Sequence, residues 1–296
     1  MSKSKVGVIG LGSMGGGVAR SLLRAGFPTH VCDTRPEVVK TFAGEGAIGC
    51  ASPAEMGKVC DVVVVLVVNA EQVDTVLFGE DGAVNTMQKG SAVIMSVTVP
   101  PAFAVRLGER LSERGILMVD APVSGGSVKA ASGEMTVMAS GAPGAFAKCE
   151  AVFGAIATKV YRLGDEPGTG SKVKMINQLL AGVHIAAAAE AMALGIKAGA
   201  DPKALYEVIS NSAGTSWMFQ NRVPHILAGD YTPHSAVEIF VKDLGIVLET
   251  GKGAKFPLPL TSAAHQMFLM AAAMGYGRDD DASVIKIFPG IDLPTA

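Results

Sequence analysis

Two lysines stand at the head of a long helical pattern, and each is a candidate for chemistry. Residues 168–200, GTGSKVKMINQLLAGVHIAAAAEAMALGIKAGA, read as one helix that carries Lys172 and Lys174 in its first turns. A cation is disfavoured at this end, because the N–H groups there carry a partial positive charge. A lysine that is also partly removed from water should lose its proton more readily. The pair therefore raises the question of whether one amine acts as an acid or a base.

Helical geometry separates the two lysines. At about 100° per residue, Asn177 falls within roughly 60° of Lys174, whereas Lys172 points about 160° away. A neutral Lys174 could accept a hydroxyl proton while a hydride leaves the same carbon, and Asn177 could orient the hydroxyl or the amine. Spacing alone favours the alternative, a surface lysine whose amine lies in solvent.

A glycine-rich turn near the start of the chain is typical of dinucleotide binding. The pattern Gly-x-Gly-x-x-Gly follows an apolar strand and opens a helix, which is the context that this motif requires. Its glycines permit a tight turn, close approach of a pyrophosphate and close packing of helix on strand. We expect the cofactor to contact this turn and the helix N-terminus, at Gly10, Leu11, Gly12, Ser13, Met14 and Gly15. A glycine turn without a ligand is the alternative.

An acidic residue lies where the adenine ribose would bind. Asp33 ends the second predicted strand, about 20 residues after the glycine turn, so it could accept hydrogen bonds from the ribose hydroxyls. Its charge would repel a 2′-phosphate, which favours NAD over NADP. Arg35 could in principle hold such a phosphate, and a simple turn-forming acid remains the alternative for Asp33.

Loop residues follow two further predicted strands. Val67, Val68 and Asn69 fall at the carboxyl end of one strand, and Thr98 lies at the same edge after the next strand. Ligands bind at the carboxyl edge of open parallel sheets, so we expect all four to contact the cofactor. Capping of the next helix explains such residues equally well.

The stretch DAPVSGG, residues 120–126, ends in a turn suited to an anion. Ser124, Gly125 and Gly126 offer a hydroxyl and backbone N–H groups that no side chain shields. We expect this turn to bind a substrate carboxylate, with an ordinary glycine turn as the alternative.

The sequence contains no motif for a metal site, a covalent hydrolase or a disulfide framework. The five histidines form no metal-binding motif, and His184 reads as a core or interface residue, so we expect no metal. No signature of a covalent hydrolase is present. The four cysteines are far apart, which is typical of reduced thiols in the cytoplasm.

The elements that must position these residues fall into two groups. Short apolar runs alternate with amphipathic stretches, which predicts a doubly wound parallel sheet; strands are expected at 5–9, 29–33, 61–67, 92–95 and 116–119, and helices at 14–25, 36–43, 71–77 and 101–113. From residue 168 helical periodicity replaces the strands; helices are expected at 170–199, 202–210, 235–252 and 258–275, with loops at Pro224, Gly229-Asp230, Pro233, Pro257 and Pro259. We therefore expect a Rossmann-type NAD-binding domain over 1–165 and an all-helical substrate and oligomerisation domain over 166–296.

Composition narrows the class of partner. Hydrophobic residues make up 49% of the chain and charged residues 18%, enough for a sizeable core. The net charge of −2 favours neither nucleic acid nor a membrane surface. The apolar segment 181–200 is interrupted by His184, Glu190 and Lys197, which favours a buried helix over a membrane span. The high hydrophobicity favours a homo-oligomer, a dimer or a tetramer, built through the helical domain.

Four stretches occur in the order and spacing of one family. GLGSMG, DAPVSGG, GTGSKVKMIN and KDLG together resemble the β-hydroxyacid dehydrogenases, which include 3-hydroxyisobutyrate dehydrogenase and tartronate semialdehyde reductase. The resemblance covers essentially the whole chain. It implies an NAD-dependent enzyme that oxidises a small hydroxy acid, with Lys174 as the acid/base and Asn177 orienting the substrate.

The resemblance also assigns residues that spacing alone left open. It implies that Ser124, Gly125 and Gly126 bind the substrate carboxylate and that Thr98 touches the cofactor. Lys242 in KDLG, otherwise read as a partner for Asp243 or Glu238, would approach the nicotinamide. Three alternatives stay open: another hydroxy acid on the same scaffold, an NADP-dependent reductase, and a non-catalytic dinucleotide-binding module.

Overall fold

A computed structural model describes residues 3–294, and its first element is a six-stranded parallel sheet. The spatial order is β3-β2-β1-β4-β5-β6, with every neighbouring pair parallel. The strands are β1 Val6–Ile9, β2 Thr29–Cys32, β3 Ile48–Gly49, β4 Val62–Val65, β5 Ala92–Met95 and β6 Leu117–Asp120. This is the doubly wound dinucleotide-binding order, and the sequence predicted a sheet of this class, although not its two-residue strand β3.

Two hydrophobic cores cover the two faces of this sheet. Along β4, Val62 and Val64 belong to one buried cluster, and Val63 and Val65 belong to the other. Successive side chains of a strand point to opposite faces, so an uninterrupted valine run can be buried on both sides. The helices here are α1 Ser13–Arg24, α2 Pro36–Gly44, α3 Pro53–Val59, α4 Ala70–Phe78, α5 Pro101–Glu113, α6 Gly126–Ser132 and α7 Pro143–Ile156.

A second, three-stranded sheet extends the first unit beyond the predicted strands. Its order is β7-β8-β9, where β7 pairs antiparallel and β9 parallel with the central strand. The strands are β7 Val123–Ser124, β8 Met135–Ala139 and β9 Ala157–Arg162. The sequence analysis missed all three strands and the intervening α6 and α7. One strand has two residues and β9 carries no buried residue, so neither has an apolar run.

The remaining chain is helical. It contains α8 Thr169–Lys197, α9 Pro202–Ser210, α10 Trp217–Ala228, α11 Val237–Gly253 and α12 Pro259–Ala271, followed by a π turn Ala272–Tyr276 and a 3-10 helix Asp281–Ile287. The chain divides into two compact units, the first ending at Lys174 and the second beginning at Met175, within α8. A buried cluster that includes Ile185, Met192, Phe240 and Phe268 forms the core of the second unit.

The α8 helix is long and apolar enough to cross a membrane by length and composition alone. Its inner residues, such as Ala189 and Met192, instead pack in the core of the second unit. One face of α8 therefore packs in a protein core.

The prediction of a loop at Pro224 was wrong, because Pro224 lies inside α10. A proline has no N–H, so it cannot donate to the carbonyl four residues earlier, which is that of Gln220. The hydroxyl of Tyr206 on α9 donates to that carbonyl at 3.2 Å. A tertiary contact thus replaces the lost helical bond, which no local pattern could indicate.

Candidate active site

The glycine turn between β1 and α1 is shaped by backbone contacts. Gly10 has φ of +89°, and a Cβ added there would lie 2.6 Å from the carbonyl oxygen of Leu66. A Cβ on Gly15 would lie 1.8 Å from the carbonyl oxygen of Gly10. A Cβ on Gly12 would meet nothing within 4 Å. Two glycines therefore allow the turn to close, and the third leaves open space above the backbone, as a bound pyrophosphate requires.

The N-terminus of α1 is suited to an anion. No side chain caps it at Gly12, and its first turn contains no acidic residue. Ser13 is exposed and Met14 is half-buried, while Leu11 is buried below the turn. The first N–H groups of a helix carry partial positive charge, so this end can hold the phosphates of a dinucleotide.

Asp33 is held in its charged form. Its Oδ2 accepts the Leu11 N–H at 2.7 Å, and the Arg35 guanidinium donates to both of its oxygens at 2.8 and 3.0 Å. The hydrogen bonds from Arg35 and Leu11 lower the pKa of Asp33 to about 2. A permanent negative charge therefore lies beside the glycine turn, where a ribose hydroxyl can donate to it.

The loops after β4 and β5 hold the other predicted cofactor residues. Asn69 caps α4, since its Oδ1 accepts the Gln72 N–H at 2.8 Å, and Gln72 in turn accepts the Val68 N–H at 2.8 Å. The Asn69 side chain thus caps a helix, which was the alternative to a cofactor contact. Val67 is half-buried, Val68 is half exposed, and Thr98 is half-buried after β5.

The turn predicted to bind a carboxylate joins β7 to α6. Ser124 ends β7 and is half-buried. Gly125 and Gly126 have φ of +133° and +72°, a backbone region that other residues rarely adopt. A Cβ on Gly126 would meet nothing within 4 Å, so its backbone is open to an approaching group.

Asp120 anchors the start of α8, a role that the sequence analysis did not identify. The carboxylate is fully buried and accepts the N–H groups of Gly168 and Ser171 at 2.8 and 2.9 Å, and the Ser171 hydroxyl at 2.7 Å. Burial raises its pKa, while these bonds oppose the rise. The helix is therefore tied to the end of β6 one turn before Lys174.

The two lysines lie on different faces of α8, as helical geometry predicted, and they differ in burial. Lys172 is exposed, whereas Lys174 is buried with 7% of its surface accessible. Of the two candidates, Lys174 is therefore the lysine that the fold removes from solvent.

Further along α8, Asn177 is half-buried, and it belongs to a set of contacts within the second unit. Its Nδ2 donates to Oε1 of Gln178 at 3.0 Å, and Gln178 Nε2 donates to Asp243 Oδ2 at 2.6 Å. Lys242 Nζ lies 2.7 Å from Asp243 Oδ1. Lys242 therefore pairs with Asp243, one of the two partners that its spacing allowed. No local pattern indicated the link from Gln178 to Asp243.

The part of the chain that the structure describes contains neither a candidate metal site nor a reactive thiol. Among residues 3–294, no three His, Cys, Asp or Glu side chains come together as a metal site. All four cysteines are free and buried, and desolvation raises the pKa of Cys60 and Cys149 to about 12. Such thiols are poor nucleophiles at neutral pH.

Comparison with known proteins agrees with this arrangement. Residues 5–164 match the family described as the NAD binding domain of 6-phosphogluconate dehydrogenase, and residues 168–288 match the family described as "NAD-binding of NADP-dependent 3-hydroxyisobutyrate dehydrogenase". The L-threonate dehydrogenase of Cupriavidus necator is 67% identical over 98% of this chain and 97% of its own length. The L-threonate dehydrogenase of Escherichia coli K12 is 53% identical over 100% of this chain and 98% of its own length.

A solved structure with a related name also matches this chain over almost its full length. The crystal structure of 3-hydroxyisobutyrate dehydrogenase from Salmonella typhimurium has a TM-score of 0.92 and 54% identity, covering 97% of this chain and 100% of that one. The glycine turn and Asp33 fit NAD as the cofactor. The chain therefore belongs to the β-hydroxyacid dehydrogenase family, of the 3-hydroxyisobutyrate dehydrogenase type, and it is an NAD-dependent hydroxyacid dehydrogenase.

Proposed function

We propose that this protein oxidises the C2 hydroxyl of L-threonate to the 2-oxo acid, 2-oxo-tetronate, with NAD as hydride acceptor. The observation that carries the proposal is the identity of 67% over almost the full length of an L-threonate dehydrogenase. Three further relatives with that name, at 51–54% identity over 98–100% of the chain, support it.

Each residue of the cofactor site has a proposed task. Bound NAD supplies the hydride acceptor of the reaction. The turn Gly10–Gly15, including Leu11, Ser13 and Met14, holds the pyrophosphate, and Asp33 accepts the ribose hydroxyls. Val67, Val68, Asn69 and Thr98 contribute contacts along the carboxyl edge of the sheet, those of Asn69 through its backbone because its side chain caps α4.

The substrate is held by its carboxylate. We assign this binding to the Ser124 hydroxyl and to the backbone N–H groups of Gly125 and Gly126. The open backbone at Gly126 supports this assignment. A fixed carboxylate would set the position of the C2 carbon, which contributes to the rate by orienting the reacting atoms.

Lys174 is the proposed general base. The neutral amine accepts the proton of the C2 hydroxyl as the hydride leaves C2, so the C–H and O–H bonds break and a C=O bond forms. In the reverse direction the ammonium returns the proton. Asn177 orients the substrate hydroxyl or the Lys174 amine. Lys242 approaches the nicotinamide end of the cofactor.

A second hydroxy acid has a specific observation in its favour. The Salmonella typhimurium structure at 54% identity carries the name 3-hydroxyisobutyrate dehydrogenase. 3-Hydroxyisobutyrate is therefore the first competing substrate, and tartronate semialdehyde, in the reverse direction, is the second.

A substrate panel followed by NADH absorbance tests the proposal. We expect L-threonate to give the highest kcat/KM among L-threonate, D-threonate, the erythronates and 3-hydroxyisobutyrate. Reduction of tartronate semialdehyde is measured with NADH in the same buffer. A higher kcat/KM for 3-hydroxyisobutyrate or tartronate semialdehyde would replace L-threonate as the substrate.

The organisation of the protein completes the proposal. We propose an NAD-binding domain over 1–165 and a helical substrate and oligomerisation domain over 166–296. The second unit exposes large apolar side chains, which support a homo-oligomer, a dimer or tetramer; they include Leu194, Phe256, Leu260, Met270 and Met274. The reduced, buried cysteines support a cytoplasmic location.

A further inference from the structure

A chain of polar side chains crosses from α8 to α11 inside the second unit. It runs from Asn177 through Gln178 to Asp243 and ends at Lys242, with contacts of 3.0, 2.6 and 2.7 Å. Gln178 and Asp243 are buried, with 8% and 2% of their surface accessible. Buried amides and carboxylates are costly unless they are paired, so these contacts are a fixed part of the fold.

A close approach of the two helices makes the link possible. Gly182 lies one turn after Gln178, and a Cβ added there would lie 2.8 Å from Leu244 and 3.0 Å from Phe240. Glycine at this position lets α8 and α11 pack closely enough for a glutamine side chain to reach Asp243.

The carboxylate sets the direction of every hydrogen bond in the chain. An ionised carboxylate only accepts, so the amide nitrogen of Gln178 must face Asp243. The carbonyl of Gln178 then faces Asn177, which must donate its own amide nitrogen. The carbonyl oxygen of Asn177 is thereby left to accept from another donor. A lysine amine or a substrate hydroxyl is such a donor.

We propose that Gln178 and Asp243 are positioning residues that fix which end of the Asn177 carboxamide faces the reacting groups and where the Lys242 amine lies. This inference rests on the proposed roles of Asn177 and Lys242 in hydroxy-acid oxidation. Neither Gln178 nor Asp243 needs to touch the substrate. Their effect is to orient the Asn177 amide through the Gln178 amide and to hold Lys242 through its ion pair with Asp243.

Single substitutions should reverse or break the chain. In Gln178→Glu, a second carboxylate replaces the amide that donates to Asp243. In Asp243→Asn, the Asn oxygen can still lie beside the Lys242 amine, but its amide nitrogen then faces Gln178. That arrangement turns the Gln178 and Asn177 amides around, and Asn177 presents donors where an acceptor is needed.

The double variant Gln178→Glu/Asp243→Asn should restore the original direction. Asn at 243 donates to Glu at 178, which still accepts from Asn177, and the Asn oxygen still lies beside the Lys242 amine. One negative charge and one amide are kept, with their places exchanged.

The experiment measures kcat, KM and NAD affinity for the wild type, the two single variants and the double variant, using the hydroxy acid that the wild type oxidises fastest. We expect each single variant to lose about 10- to 100-fold in kcat, as for a small displacement of reacting groups, with unchanged NAD affinity. The double variant should recover at least about tenfold over either single variant. Gln220→Glu is the matched control, because the Gln220 amide donates to the Ser210 carbonyl, outside the chain, and it should leave kcat unchanged.

Two results would overturn the inference. One is wild-type kcat in both single variants. The other is a double variant no more active than the poorer single variant while its thermal unfolding midpoint equals that of the wild type. If a single variant fails to fold, Gln178→Met supplies the same comparison, because it removes the link without a buried charge, and wild-type kcat there would also overturn it. Wild-type activity on the substrate panel reports separately on the proposed function.

Discussion

Lys174 is the residue on which the proposed chemistry depends. Its amine is buried on the first turns of α8, while Lys172, two residues earlier, is exposed. The same helix thus contains a candidate base and a chemically identical residue that reports on general effects of removing a lysine.

We expect Lys174→Ala to lower kcat by about 100-fold or more, within the range for removal of a general base. NAD affinity, measured by the quenching of protein fluorescence, should stay within about twofold, because the amine is not assigned to the dinucleotide. Lys172→Ala is the control and should keep wild-type kcat. Turnover near wild type in Lys174→Ala would remove the lysine from the mechanism.

Asp33 should select the cofactor through its charge. Asp33→Asn should raise the KM for NAD about tenfold or more, since a hydrogen bond to a charged group is worth about 1.5–3 kcal/mol. The same change releases Arg35 from its partner and should improve activity with NADP. Adding Arg35→Ala should cancel that improvement, and ratios of kcat/KM for the two cofactors measure both effects. An unchanged ratio in Asp33→Asn would show that Asp33 does not discriminate.

The low pKa of Asp33 also predicts how stability and NAD binding depend on pH. Because the folded state lowers this pKa from 3.8 to about 2, the stability that Asp33 contributes is present above pH 4 and is lost as the pH falls towards 2. Between neutral and mildly acidic pH, Asp33 should therefore add no pH dependence to NAD binding. A titration of NAD affinity from about pH 8 to about pH 5 in the wild type and Asp33→Asn checks this, and the two curves should run parallel.

At the scale of elements, the start of α8 depends on one buried carboxylate. Asp120 on β6 accepts three hydrogen bonds from the first turn of the helix and the residue before it. Hydrogen bonds to a charged acceptor are stronger than those to a neutral one. The place of Lys174 in the fold therefore depends on a contact with a strand residue that lies about 50 positions earlier in the sequence.

Asp120→Asn should lower the free energy of unfolding by about 1–3 kcal/mol, because an amide cannot accept all of these bonds. It should also lower kcat and speed hydrogen exchange at the amides of residues 168–174. Ser52→Ala is the matched control: it removes the cap of α3, which accepts the Glu55 N–H. The control should cost about 1 kcal/mol without changing kcat. Equal kcat in both variants would mean that the anchor is structural only.

At the scale of the whole molecule, the proposed homo-oligomer rests on large apolar side chains that the second unit exposes. Leu260 and Leu194 are 71% and 69% accessible. Light scattering coupled to size exclusion should give a mass that is twice or four times 30.3 kDa. Leu260→Glu should shift that mass downward, because a charge on an interface must be desolvated. Val59→Glu, an exposed apolar site of the first unit, is the control, and a monomeric wild type would contradict the proposal.

Much of the fold could be predicted because its signals are local. An apolar run such as Val62–Val65 can only be buried on both faces, and the spacing of Gly10, Gly12 and Gly15 encodes one turn geometry. Helical periodicity also places Lys172 and Lys174 on different faces of the helix, but which of the two is buried came from the structure.

The candidate site was only partly predictable, because its supporting contacts join distant residues. The caps made by Asp120 span 48 and 51 positions, and the link from Gln178 to Asp243 spans 65. Likewise, Tyr206 rather than any neighbour in sequence satisfies the carbonyl that Pro224 leaves without a donor. The residue types and their periodicity thus determined the sheet, the glycine turn and the candidate base. Only the tertiary structure decided what holds that base, and which way the amides beyond it point, because a hydrogen bond between distant residues leaves no periodic trace in the sequence.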